Sequence, residues 1–179
     1  GKGIEPQTEK LFKVCRMRGI PILTFINKLD HPGRDPLSLL DEIEKMLGIA
    51  AVPINWPVGE APAFLGVYNL KDKQISLFQR TEHGRYRAPV QMTGIEDPQL
   101  LNLLGEYSYH KLVDETQLLF GVVGNFDQEL YLAGELTPVF FGSALNNFGV
   151  EPFLEAILNM ACLLYTSDAA DEEDSVDLG

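Results

Sequence analysis

Two short segments of this sequence hold side chains whose types and spacing suit the recognition of a purine base. The first is Asn27-Lys28-Leu29-Asp30, of the form N-K-x-D. A carboxylate accepts two hydrogen bonds side by side, and guanine presents two adjacent donors, N1–H and the 2-amino group. Asp30 therefore matches guanine and mismatches adenine, whose corresponding edge offers an acceptor and no amine. Asn27 has an amide that can donate to the base N7, while its oxygen ties neighbouring loops together. Lys28 can lay its aliphatic stem along the base and ribose. The second segment is Ser143-Ala144-Leu145, after Phe140-Phe141-Gly142. A small residue there lets a backbone N–H approach the guanine O6. Asn, Lys and Asp after a strand also make an ordinary polar turn, so the flanking elements decide the matter.

Those elements read as an α/β alternation. The nearly continuous apolar run Ile20 to Ile26 predicts a strand buried on both faces of a parallel sheet. Thr137-Pro138-Val139-Phe140-Phe141 predicts another. Both chemical segments thus follow buried strands, and open α/β sheets bind ligands beyond the carboxyl ends of their strands. Pro6 opens a helix that Gly19 ends. Asp35-Pro36 starts another as N-cap and first-turn proline, with Leu37, Leu40, Ile43 and Leu47 as its apolar face and Gly48 past its end. From about Ala50 the texture changes to short extended segments broken by Pro and Gly. Phe64 to Leu70 and Gln74 to Gln79 suit a hairpin, and Asp97-Pro98 opens a long helix through about Leu119. Residues from about 50 to 125 read as a small α+β insertion. The α/β texture then returns, with helices expected over 127–136 and 150–161.

The chain has 179 residues, 45% hydrophobic and 22% charged, as a globular protein does. Its net charge of −12 disfavours DNA or other nucleic acid held through a phosphate-neutralising surface. No apolar run approaches the ~20 residues a membrane span needs, and no segment has a signal peptide's pattern. Cys15 and Cys162 are too few for a disulfide scaffold, so a reducing cytoplasm is expected. His31, His83 and His110 have no metal-ligand spacing. The basic run Lys71 to Arg87 is either a solvated hairpin face or a contact for ribosomal RNA or an acidic protein. Trp56 reads as core, and Asp41, Glu42 and Glu44 as the wet side of a helix.

Four stretches carry a family resemblance: Lys2 to Thr8, Pro21 to Asp30, Asn55-Trp56-Pro57-Val58-Gly59, and Thr137 to Val150. They resemble the bacterial class II peptide chain release factors, translational GTPases related to elongation factor G, and the likeness runs from Gly1 to about Ala161. It implies a P-loop NTPase G domain in two parts, 1–48 and 127–161, interrupted by a family-specific subdomain over 49–126. It also implies GTP and GDP as ligands, bound at Asn27, Lys28, Asp30, Ser143, Ala144 and Leu145. The implied partners are the ribosome, class I release factors and, through the insertion, the ribosomal stalk protein. No G-x-x-x-x-G-K-S/T phosphate loop and no D-x-x-G segment occurs in the 179 residues. The resemblance implies that both lie upstream of Gly1, with the switch threonine that helps hold Mg²⁺. The expectation is therefore a piece of a GTPase that carries base recognition and no hydrolysis of its own. An elongation factor G-like translocase, a ribosome-protection GTPase or an inert binding fragment is the alternative.

Beyond Ala161 the likeness stops. Residues 162–179 hold six of the 26 acidic residues and no base. Cys162 to Glu172 resembles a translated sequencing adapter, so this tail is expected to be non-native and is set apart from the functional reading.

Overall fold

Punctuating residues set the first two helices. The computed structural model describes residues 6–59, 64–77, 90–92, 94–122 and 124–160. Helix α1 (Pro6–Met17) starts at its proline, and α2 (Pro36–Leu47) is capped at both ends. The Asp35 carboxylate accepts the Ser38 N–H at 3.1 Å. Gly48, at φ 67°, takes the left-handed conformation that closes the helix and donates its N–H to the Glu44 carbonyl at 2.9 Å.

Three parallel strands lie beside these helices: β1 (Thr24–Ile26), β2 (Ala50–Pro53) and β7 (Leu136–Phe141), in the order β1-β7-β2. β7 is central and buried along its whole length, as its unbroken apolar run predicts. The fold is α/β, a parallel sheet flanked by helices, with residues 150–160 forming a further helix, α5. The Phe153 ring of α5 packs 4.8 Å from Phe25 and 5.4 Å from Phe140.

β1 departs from the sequence expectation. The run from Ile20 to Ile26 forms only three residues of strand, and these are half-buried instead of enclosed on both faces. Among the described residues β1 pairs on one side alone, with β7. A concavity of about 820 Å³, lined by Leu11, Phe12, Ile22, Phe25 and Ile43 among others, runs along it.

Four antiparallel strands make a second sheet: β3 (Asn55–Val58), β4 (Gly66–Asn69), β5 (Gln74–Leu77) and β6 (Val90–Met92), in sequence order. The expected hairpin is β4–β5, in the register Gly66↔Leu77 to Asn69↔Gln74. The change in sequence texture near Ala50 precedes the change of sheet by one strand, because β2 pairs with β7 from Ala50↔Leu136 to Pro53↔Val139. Helix α3 (Pro98–Val122) packs Leu100, Leu112 and Leu119 into the main core. It is not the continuous helix expected, because Gly105 stands at φ 74° and ψ 162° and breaks it into two. The apolar face is reset at that kink, leaving Leu103 and Tyr107 exposed. Helix α4 (Gln128–Leu132) is also shorter than expected. Gly134 turns the chain at φ 72°, and Leu136 already belongs to β7.

The core joins both sheets. Trp56 is fully buried, packs edge-on against Phe141 at 5.1 Å, and donates its indole N–H to Glu115 at 2.8 Å. Glu44 does more than face water, since its carboxylate accepts the Ala51 N–H at 3.0 Å. No helix among the described residues is long and apolar enough to cross a membrane. His83, most of the basic run beyond Lys73, and the 162–179 tail lie outside the described residues.

Candidate functional site

Strand pairing brings the two chemical segments together. β1 and β7 run parallel, with Ile26 opposite Phe141. The residues that follow each strand therefore leave the same edge of the sheet side by side. The ladder continues briefly past the strands. Gly142 N–H donates to Ile26 O at 3.0 Å, and Leu29 N–H donates to Gly142 O at 3.2 Å. Gly142 has to be glycine, because a Cβ there would stand 2.2 Å from Phe148 O and 2.7 Å from Phe25 Cζ.

Asn27 performs the tying role read from its chemistry. Its Oδ1 accepts the Lys28 N–H at 2.7 Å and the Ala144 N–H, 117 residues away, at 2.9 Å. With the oxygen occupied twice, the Asn27 Nδ2 is the group left to donate outward. Lys28 sits at φ 70°, a left-handed turn that carries its side chain to the exposed side. The pairing of Ala144 with Asn27 also refines the second segment. Leu145 N–H makes no hydrogen bond within the described residues, and Leu145 is 82% exposed. The loop folds back through Ser143 N–H to Phe148 O at 3.0 Å and Phe148 N–H to Ser143 O at 2.9 Å.

Two buried polar atoms have no partner among the described residues: Asp30 Oδ1 and Ser143 Oγ. Each comes from one of the two segments. The other Asp30 oxygen lies 3.3 Å from His31 Nε2. Leaving a buried polar group unsatisfied costs about 1–3 kcal/mol, and more when it is charged. A ligand that brings donors to this point recovers that cost. The large concavity along β1 reaches Asn27 and Lys28 but not Asp30, Ser143, Ala144 or Leu145. It takes in the start of the first segment and leaves out the rest of both.

The model of the elongation factor Tu GTP binding domain matches residues 1–162. The chain belongs to that family. Among relatives of this elongation factor Tu-type GTP-binding domain is "Peptide chain release factor 3" of Gloeobacter violaceus, 56% identical over 160 residues, or 89% of this chain and 30% of that protein. The proteins of the same name from Synechococcus elongatus and Symbiobacterium thermophilum are 53% and 50% identical over 160 residues. The chain thus spans about 30% of the length of these relatives. A crystal structure from Thermus thermophilus shares the fold, with a TM-score of 0.57 over 87% of this chain and 24% of that one at 23% identity.

Among the described residues no group of three or more His, Cys, Asp or Glu is placed to hold a metal ion. Sequence reading missed the supporting residues Asn55, Leu29 and Phe148. Only contacts across long sequence separations reveal them.

Proposed function

We propose that this chain supplies the guanine-reading part of a GTP- and GDP-binding site in a cytoplasmic translation termination factor. That factor would act on the ribosome and use GTP to release class I release factors. Residues 1–48 and 127–161 would form the nucleotide-binding body. Residues 49–126 would form an inserted subdomain, a candidate contact for the ribosomal stalk protein. Asp30 accepts from guanine N1–H and the 2-amino group, and the Asn27 amide donates to N7. The 144–145 backbone turns toward O6, with the Leu145 N–H as its free donor. The Lys28 stem lies along the base, and Ser143 closes the floor.

The observation that carries this reading is the buried, unpartnered Asp30 Oδ1 in the loop that Asn27 ties to the second segment. The capping aspartates Asp35 and Asp127 each place one carboxylate oxygen on amides of their own turn and are exposed to water. The unpaired Asp30 oxygen is buried instead. The relatives named peptide chain release factor 3 support the termination role.

The test is a change of base. Residues 1–160 replace the matching stretch of the Gloeobacter violaceus relative, and Asp30→Asn is introduced. Paired acceptors become one acceptor and one donor, which suits xanthine with its 2-oxo group. Two charge-assisted hydrogen bonds at roughly 1.5–3 kcal/mol each set a loss of guanine affinity in the range of tens to thousands. Competition between guanosine and xanthosine triphosphates reads the outcome. A variant that keeps its preference for guanine overturns the assignment.

A further inference from the structure

The end of β7, on which the second base loop hangs, is held on its insertion side by a side chain instead of a strand. β2 pairs with β7 as far as Pro53↔Val139, and Ile54 N–H donates to Val139 O at 2.9 Å. There the backbone turns away into β3. Asn55, 3% exposed, continues the ladder with its amide. Phe141 N–H donates to Asn55 Oδ1 at 2.7 Å, and Asn55 Nδ2 donates to Phe141 O at 3.1 Å. The packing leaves little slack. A Cβ on Gly149, beyond the loop, would stand 2.5 Å from Phe141 O and 3.4 Å from Asn55 Nδ2. A second tie lies alongside, where the Phe64 and Phe148 rings pack 5.2 Å apart in a cluster that Leu29 joins.

We propose that Asn55 is a positioning residue for base recognition. Its amide fastens the last residue of β7, and with it the Ser143–Leu145 loop, to the antiparallel sheet of β3–β6. Movement of that sheet and occupancy of the base site are then energetically linked, and the linkage is reciprocal. The inference rests on the base-site reading above and adds a route by which whatever engages the inserted sheet alters nucleotide affinity. A buried amide needs partners in any case, but here both are backbone groups of one residue, Phe141, two positions before the loop.

The test uses Asn55→Asp and Asn55→Leu beside Val52→Ala, a control in the separate cluster with Tyr131, Leu136 and Met160. In the nucleotide-free 179-residue chain, amide hydrogen exchange is read at Ala144, whose N–H bonds to Asn27 and not to Asn55. Exchange at Ala144 is expected to quicken at least tenfold in either Asn55 variant relative to the control. A rate equal to that of Val52→Ala overturns the proposal. This arm needs no nucleotide, so it separates failure of the positioning role from failure of the base-site reading, which the Asp30→Asn competition decides. In the chimera, dissociation of guanosine diphosphate is expected to quicken about tenfold beyond the control, and no excess over the control counts against the proposal. Should Asn55→Leu not fold, Asn55→Asp keeps the oxygen that accepts Phe141 N–H. The unsubstituted chimera supplies a last arm: bound guanosine diphosphate is expected to slow exchange at the Leu65 and Leu70 amides, which bond to Val58 O and Ile54 O. Unchanged rates there overturn the linkage.

Discussion

Asn27 Oδ1 lies 2.9 Å from the amide nitrogen of Ala144 and joins loops 117 residues apart in sequence. The same oxygen accepts the Lys28 N–H at 2.7 Å. Asn27→Ala removes one acceptor from two donors at once. Both donors are exposed, so water replaces the lost oxygen and the stability cost stays near 0.5–1.5 kcal/mol. The two loops lose their cross-tie, and nucleotide affinity is expected to fall by more than stability does. Paired measurements of urea midpoint and guanosine diphosphate affinity check this. A fall in affinity no larger than the stability change alone explains would reduce Asn27 to a turn residue.

Two glycine substitutions should have opposite signs. Gly142→Ala drives a Cβ to 2.2 Å from the Phe148 carbonyl oxygen and 2.7 Å from the Phe25 ring. Backbone has to move, at a cost of about 1–3 kcal/mol or more. Gly121 is an exposed position within α3 with nothing within 4 Å of the added carbon. Gly121→Ala should stabilise by about 0.4–1 kcal/mol, through helix propensity and a less flexible unfolded chain. The fully buried Trp56 gives an intrinsic fluorescence signal for both unfolding curves.

Alkaline pH should unfold the protein through two tyrosines. Burial raises the pKa of both Tyr68 and Tyr131 above the ordinary 10.0, because desolvation disfavours the phenolate. The folded state then holds these protons more tightly than the unfolded state. Their stability contribution is fully present below pH 10 and is lost as the pH rises through the folded values. The melting temperature is expected to fall above pH 10, and Tyr131→Phe should blunt that fall while leaving the neutral-pH midpoint nearly unchanged. An equally steep alkaline fall in Tyr131→Phe and Tyr68→Phe would assign it to other groups.

How much of this was legible before the structure follows from what each signal depends on. The N-cap at Asp35, the left-handed Gly48 and the strand over 137–141 are set by local chemistry and an unbroken apolar run, and all three were readable. β1 was misjudged because apolar composition reports a tendency to be buried, while burial itself depends on neighbours, and β1 pairs only with β7 among the described residues. The kink at Gly105 was visible only as a glycine, a residue that helices also tolerate without bending. Both loops were read as motifs, but Asn55 was not read as their support. A polar residue at a strand's first position looks like turn punctuation until its partner 86 residues away is known.

Ser143 offers the sharpest separation of ligand-free and ligand-bound roles. Its hydroxyl is fully buried and has no partner among the described residues. Removing an unsatisfied polar atom relieves a desolvation cost, so Ser143→Ala should leave the free protein as stable as before or more stable by up to about 1–3 kcal/mol. A hydroxyl kept only for packing predicts the same change with nucleotide bound. A hydroxyl that finds its partner when guanine enters predicts the reverse, with the variant releasing guanosine diphosphate faster and gaining less stability from it. Saturating ligand stabilises in proportion to the logarithm of its concentration over Kd, so the two urea midpoints, with and without nucleotide, report both effects from one protein. Opposite signs for the two midpoints place Ser143 in the recognition site. Equal shifts in the same direction make it a core residue.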